Sequence, residues 1–529
     1  MAASSSAICD LAEDAPTPLV ELLLITVAAV GVHGYHLGVD DAEIYIPAVK
    51  KIADPALFPF ASSEFFLTHA HFSLFSNLVG NFARLTHLPA DVAIFLAHMA
   101  GIFLLLIAAW RVSRICFHSK LAHWGSVLVI AAVMTIPITG TGLFLMDNYV
   151  TARSMSTPLS LLAVASYLEK RQKQTVLWWL LTLSVHPQMA AYVVALFVCV
   201  AVVTGMENRQ RFGFLATLPF LLEFTPASGA AREALYSRTY FFVTNWAWYE
   251  WVGVIAPLLL LAWFAYRSPR ATRPGFQRLA AALIPFGAIS TAAAWALTLS
   301  SKLENFTRLQ PMRSFHLLYA LFFILLGGLL GEYVLKARLW RWLALLVPVA
   351  TTMGMVQMFT YSASPHVEWP LVRHQNGNGW INAFLWIRDN TPKNALFAMD
   401  PEYMRIPGDD QHGFRAVAER GVLADEVKDS GAVSLFPQLA NHWKAQVEAQ
   451  TGWNEFQLAD YERLSRQYPV SWIVTRTPGP VGFTCPYRNE ILAVCHLDAL
   501  EMAALRVSAG QYRRKWMQPV SASRMQIGR

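Results

Sequence analysis

Charge is scarce in this sequence. Only 15% of its 529 residues are Asp, Glu, Lys or Arg, where a soluble domain carries about 25%. That excludes a disordered chain and an ordinary water-soluble enzyme. Cysteine is scarce as well, at five residues, with no Cys-x-x-Cys pair, which argues against a thiolate zinc module. A Walker glycine loop, a Gly-x-Gly-x-x-Gly fingerprint and a Gly-x-Ser-x-Gly elbow are all absent. Nothing therefore points to a nucleotide site or a serine hydrolase. Residues 1–17 hold Asp10, Glu13 and Asp14 and no basic residue, so the basic start of a secretory leader is missing. Cys9 has no apolar run before it, as a lipoprotein signal would need.

Long apolar runs are what the sequence does have. Hydrophobic residues make up 55%, with 18 Trp and 32 Phe, and mean hydropathy is +0.36. Membrane spans are expected near 18–36, 91–110, 122–139, 153–168, 174–185, 188–205, 211–224, 249–266, 279–299, 314–334 and 342–361. Several reach the roughly 20 residues that cross a bilayer core. The runs 174–185 and 211–224 are short, and suit tilted, broken or re-entrant segments covered by protein.

The net charge of +7 has a membrane explanation rather than a nucleic-acid one. Basic residues gather in short alternate loops: Arg111, Arg114 and Lys120; Lys170, Arg171 and Lys173; Arg209 and Arg211; Arg267, Arg270, Arg273 and Arg278; Lys336, Arg338 and Arg341. The positive-inside rule places these loops in the cytoplasm. The expectation is about eleven spans in a multi-pass protein of the plasma (inner) membrane. Its N-terminus, residues 1–17, is cytoplasmic and its C-terminal region is outside. No nucleic-acid partner is expected.

From about 363 the composition becomes mixed. Residues 380–390 read as an amphipathic helix ended by Thr391-Pro392. Residues 395–399, 471–475 and 491–496 read as strands. Residues 363–505 are therefore expected to form an extracytoplasmic α/β domain, followed by a basic tail, 506–529, with Arg513, Arg514 and Lys515. Cys485 and Cys495 form a disulfide or remain two buried thiols.

Polar residues in the outer loops carry the functional expectation. Asp40, Asp41 and Glu43 follow the first span, at the head of a large first external loop, 37–90. Two adjacent carboxylates repel, so one gains from a cation or a proton. They make a general base or a ligand pair for a divalent cation such as Mg or Mn; alternatively they cap a helix starting near Pro47. In the same loop, 70–85 reads as one amphipathic helix. His69 and His71 make a poor metal pair, since residues two apart diverge on a helix. Asp147 and Arg153 are candidate substrate-binding residues or a plain interface ion pair. His186 and Gln188 flank Pro187 at a turn, facing either a substrate or backbone groups freed by the proline. Glu223 is a candidate substrate-binding carboxylate or simply the end of a short span. Arg308 and Arg313 bracket Pro311, which suits the start of the next helix. Its free N–H groups and two guanidinium groups would grip a phosphate, or the arginines would snorkel to lipid headgroups.

This layout resembles the GT-C superfamily of membrane glycosyltransferases, which use polyprenyl-phosphate-linked sugars. The resemblance rests on Asp40-Asp41 after the first span, the long first loop, Arg308 and Arg313 in a late loop, and the external domain. The stretches Asp-Asp-Ala-Glu-Ile-Tyr-Ile-Pro-Ala-Val-Lys-Lys, Leu-Gln-Pro-Met-Arg-Ser and Trp-Ile-Arg-Asp-Asn-Thr-Pro also look like those of a bacterial subgroup of this type. The resemblance implies a GT-C-like bundle over 18–362 and transfer of a sugar to a glycan, lipid or protein acceptor on the outer face. It implies Asp41 or Asp40 as base or metal ligand, and Arg313 and Arg308 as contacts to the donor phosphate. The alternatives are a transporter or lipid-handling protein, whose halves should repeat, and a non-catalytic assembly protein.

Overall fold

A computed structural model describes residues 16–205, 226–227, 229–267, 269, 272–372, 377–406 and 412–497. The expected span 211–224, Glu223, Arg209, Arg211, Arg270 and the tail 506–529 lie outside the described residues. The chain is mainly helical, with a small sheet near its C-terminal end.

Helix α1 (Leu19–His33) leads into a loop that carries α2 (Ala42–Ala53), α3 (Glu64–His71) and α4 (Phe75–Thr86). Then come α5 (Ala90–Cys116), α6 (Lys120–Ala132), α7 (Ala152–Leu168), α8 (Gln172–Val185) and α9 (Pro187–Val203). The short α10 (Gly229–Tyr236) precedes α11 (Trp248–Arg267), α12 (Pro274–Thr298), α13 (Phe315–Leu329) and α14 (Leu339–Thr360). Leu105, Leu161, Leu196, Leu283 and Leu318 meet in the main core of this helical part. Helices α6 and α13 touch at backbone distance: a Cβ on Gly125 would lie 2.2 Å from the carbonyl oxygen of Gly327, so neither position has room for a side chain.

Among the described residues, five helical stretches are long and apolar enough to cross a membrane: Ala90–Cys116, Trp248–Arg267, Pro274–Thr298, Ser301–Leu335 and Leu339–Thr360. Their protein cover differs. Around α13, 67% of the most apolar window is buried against other helices, whereas on α14 only 6% is. Leu339, Trp340, Leu343, Val347 and Phe359 of α14 are exposed. An apolar helix with so little protein around it fits a lipid surround. Helices α1, α6 and α9 are apolar but shorter.

Three local expectations are corrected. The run 122–139 is helical only to Ala132. It then turns into a hairpin, β1 (Pro137–Ile138) against β2 (Leu143–Phe144), because Gly140 and Gly142 take positive φ and make the tight turn. The segment 70–85 is two helices rather than one. Leu74 N–H donates to the Ser184 carbonyl at 2.8 Å and Ser73 Oγ donates to that of Val185, so the break is pinned to the end of α8. Finally, α2 starts at Ala42, not near Pro47, which sits inside it.

The C-terminal region contains α15 (Gly379–Asn390), β3 (Leu396–Ala398), α16 (Phe414–Ala418), β4 (Gly421–Val422), α17 (Asp429–Leu435), α18 (Ala440–Gln450), α19 (Leu458–Gln467), β5 (Trp472–Arg476), β6 (Thr484–Arg488) and β7 (Leu492–His496). The sheet order is β4-β3-β5-β7-β6, parallel across its first three strands and antiparallel after. Asn378 caps α15 by accepting from the N–H groups of Trp380 and Ile381, as short polar side chains do at helix starts. Cys485 and Cys495 are bridged. Lys50 of α2 ties the first loop to this region: it pairs with Asp91 at 2.6 Å and Glu419 at 2.8 Å.

Candidate functional site

Asp40 has φ of 49°, a left-handed turn residue that lets the chain leave α1 and enter α2 within a few residues. Asp41 stands at the N-cap position of α2, yet its side chain makes no capping hydrogen bond. Its carboxylate points elsewhere. Arg153 Nη2 reaches Asp41 Oδ2 at 3.2 Å and Asp147 Oδ2 at 3.1 Å. Lys428, from the turn before α17, pairs with Asp40 and lies 3.4 Å from Asp41 Oδ1. Tyr149 donates its hydroxyl to Asp40 Oδ2 at 3.1 Å.

The cluster is deepest at Asp147 and Arg153, whose side chains are 3% and 4% exposed. It opens outward at Asp41, 22% exposed, and Asp40, 41% exposed. Arg153 opens α7, where Thr151 and Ser154 form a capping box and the Thr151 hydroxyl donates to Asp147 at 3.1 Å. Burial pushes the Asp147 carboxyl up, against the pull of Arg153. Burial also pushes the Lys428 ammonium down to about 7.

Other residues gather here. The His69 ring meets the edge of Tyr45 at 5.0 Å. Burial pushes His69 down to about 4, and it also feels the charges of Asp41, Arg153 and Arg313, so it is neutral near pH 7. Tyr45 feels Arg153, Asp41, Arg313 and Asp147. Arg313 acts on the same Tyr45 and His69 rings as Asp41, from the 3-10 turn Pro311–Ser314 that starts α13. Its Nη2 donates to the Tyr240 hydroxyl at 3.3 Å, and its guanidinium lies 5.4 Å from that ring. Arg308 is half-buried on the preceding 3-10 helix, Ser301–Leu309.

Two candidates point to backbone. The ring of His186 caps α9 by accepting from Met189 N–H at 3.4 Å. The Gln188 amide donates to the Leu309 carbonyl at 2.9 Å, holding α9 against the arginine-bearing turn. His69 and His71 lie on α3, so the expectation that they diverge stands.

Glu43, only three residues from Asp40, belongs to a separate cluster. Its oxygens accept from the Arg415 N–H at 3.0 Å and the Ala416 N–H at 2.9 Å. Arg415 Nη1 is 3.3 Å away, and the guanidinium also grips Asp429 in two-point fashion, through Nη1 at 3.1 Å and Nη2 at 2.7 Å. Asp425 adds a third carboxylate, 3.8 Å from Arg415. A Cβ on Gly413 would lie 2.3 Å from Glu43 Oε2, so the start of α16 packs directly on this carboxyl. Burial pushes Glu43 up to about 8, against Arg415, and Asp425 up to about 7.

Lys428, Tyr149 and Tyr240 were missed by sequence reasoning. Nothing local marks Lys428, which comes from a segment 388 positions beyond Asp40. No protein-family model and no curated protein matches the chain.

Proposed function

We propose that this protein is an integral-membrane glycosyltransferase that takes a sugar from a polyprenyl-phosphate donor and passes it to an acceptor on the extracytoplasmic face. The observation that carries the reading is the outward-opening cluster. Asp40 and Asp41 sit beside Arg153 and Lys428, and Arg313 acts on the same Tyr45 ring as Asp41, in a chain whose described residues include five membrane-length apolar helices. In this reading the acceptor hydroxyl attacks the anomeric carbon and the bond from that carbon to the phosphate oxygen breaks. Asp40 or Asp41 takes the hydroxyl proton. Arg313 stabilises the phosphate that leaves with the lipid, and Arg308 would join it. Arg153 orients Asp41.

A Mg or Mn ion between Asp40 and Asp41 does not suit this arrangement, because the Lys428 ammonium already pairs with both carboxylates. The reading draws its positive charge from Lys428 and the arginines and routes no step through a metal. It includes the eleven-span layout with the C-terminal region outside, which the alternation of basic loops supports.

The test is equilibrium binding of a polyprenyl phosphate to the full chain in detergent. Arg313→Ala should weaken binding at least about tenfold, since a charge-assisted hydrogen bond contributes ~1.5–3 kcal/mol. Folded wild type that binds no polyprenyl phosphate would contradict the reading and favour a transporter or an assembly protein.

A further inference from the structure

A third polar cluster lies apart from the two carboxylate clusters. His36 Nδ1 is 3.0 Å from Glu368 Oε1, and His412 Nε2 is 2.7 Å from the same oxygen. The three ligand-type atoms all lie within 4.8 Å of one another. Both histidines are fully buried, and the Glu368 side chain is 7% exposed.

The segments that bear these residues are locked by backbone. Tyr35 N–H donates to the His366 carbonyl at 3.0 Å, and Glu368 N–H returns to that of Tyr35 at 2.8 Å. Gly413 N–H donates to the Gly38 carbonyl at 2.6 Å. The second oxygen of Glu368 accepts from Leu37 N–H at 2.9 Å, which fixes the carboxylate plane and turns Oε1 towards the rings. The His36 ring packs on Tyr361 at 4.2 Å. Three stretches far apart in sequence thus bring two imidazoles and one carboxylate oxygen to a common point before any ligand arrives.

We propose that His36, Glu368 and His412 form a binding site for a divalent transition metal of zinc type. Two imidazole nitrogens and one carboxylate oxygen are a common zinc donor set, with bonds of about 2.0–2.2 Å. A tetrahedral ion of that size holds its ligands roughly 3.3 Å apart, so adjustments of an ångström or so seat it here. Glu368 also lines a groove with Tyr35, Asp91, Trp369 and Arg388, while the two histidines lie behind it. Mg and Mn are disfavoured, since they prefer oxygen donors and six-fold coordination. The metal would clasp the exit of α1, the segment after α14 and the start of α16. It stands independently of the transferase reading.

The test uses the full chain in detergent, free of any affinity tag, stripped by a chelator and reloaded with zinc or with cobalt. The expected result is one zinc retained per chain and a higher thermal midpoint in the loaded form. Cobalt should give the intense visible absorption of a four- or five-coordinate nitrogen–oxygen site. His36→Ala and His412→Ala should each bring zinc to background. Folded wild type that retains no zinc, or that shows only the weak spectrum of hydrated cobalt, would overturn the proposal without any variant. Retention of zinc by a folded His36→Ala, His412→Ala double variant would overturn it as well.

Discussion

Two clusters of three carboxylates stand side by side at the head of α2, and they differ in what surrounds them. Asp40, Asp41 and Asp147 face two cations, Arg153 and Lys428, and the cluster opens outward. Glu43, Asp425 and Asp429 face one cation, Arg415, whose side chain is 1% exposed, and no carboxylate there exceeds 8%. In the sealed cluster burial pushes Glu43 and Asp425 up, and the single guanidinium of Arg415 acts against it. The open cluster sets two cations against its three carboxylates, and both cations are held in ion pairs. Neighbouring acidic residues in one motif therefore sit in separate surroundings: Glu43 holds the first loop to the C-terminal region, and Asp40 and Asp41 are partly exposed.

The largest effect should come from Arg415→Ala. It strands buried carboxylates, a change that costs about 3–5 kcal/mol. Chemical or thermal unfolding in detergent should show that loss; a change under 1 kcal/mol would erase the distinction between the clusters. Next comes pH. Glu43 is pushed up to about 8 from an ordinary 4.5. Between those values the folded chain holds a proton that the unfolded chain has released. This contribution to stability is fully present below about 4.5 and is lost as pH rises towards about 8. Glu43→Gln, which imitates the protonated form, should flatten that decline in thermal midpoint. An unchanged slope would mean that Glu43 is ionised throughout. The smallest effect should be that of Lys393→Ala. Its pair with Asp54 joins the same two regions, but the side chains are 55% and 39% exposed. A loss of less than about 1 kcal/mol is expected.

The helix at 380–390 and the strands near 395–399, 471–475 and 491–496 were legible, because their signals are local: apolar patterning, with stops at Thr391-Pro392 and Asp400-Pro401. Strands β4 and β6 were not. β4 is two residues long, and β6 alternates between exposed and half-covered positions around Pro486. In the membrane part, hydropathy runs on through Ile136 and so hides the end of α6, which the glycine turn imposes. At the site, Asp40, Asp41, Arg153 and Arg313 could be named from charges placed beside apolar runs. That Asp41 pairs with Arg153 and Lys428 rather than capping α2 could not, because those partners come from α7 and the C-terminal region. Glu43 could not be separated from its neighbours for the same reason: Arg415 lies 372 positions away.

The most direct measurement is sugar transfer from a panel of polyprenyl-phosphate donors by the full chain in membranes, comparing wild type with Asp40→Asn and Asp41→Asn. Turnover should fall by ~10²-fold or more when the proton acceptor is lost, with the thermal midpoint close to that of wild type because both side chains are partly exposed. Transfer that proceeds unchanged in both variants would contradict the assignment of the open cluster as the site of catalysis.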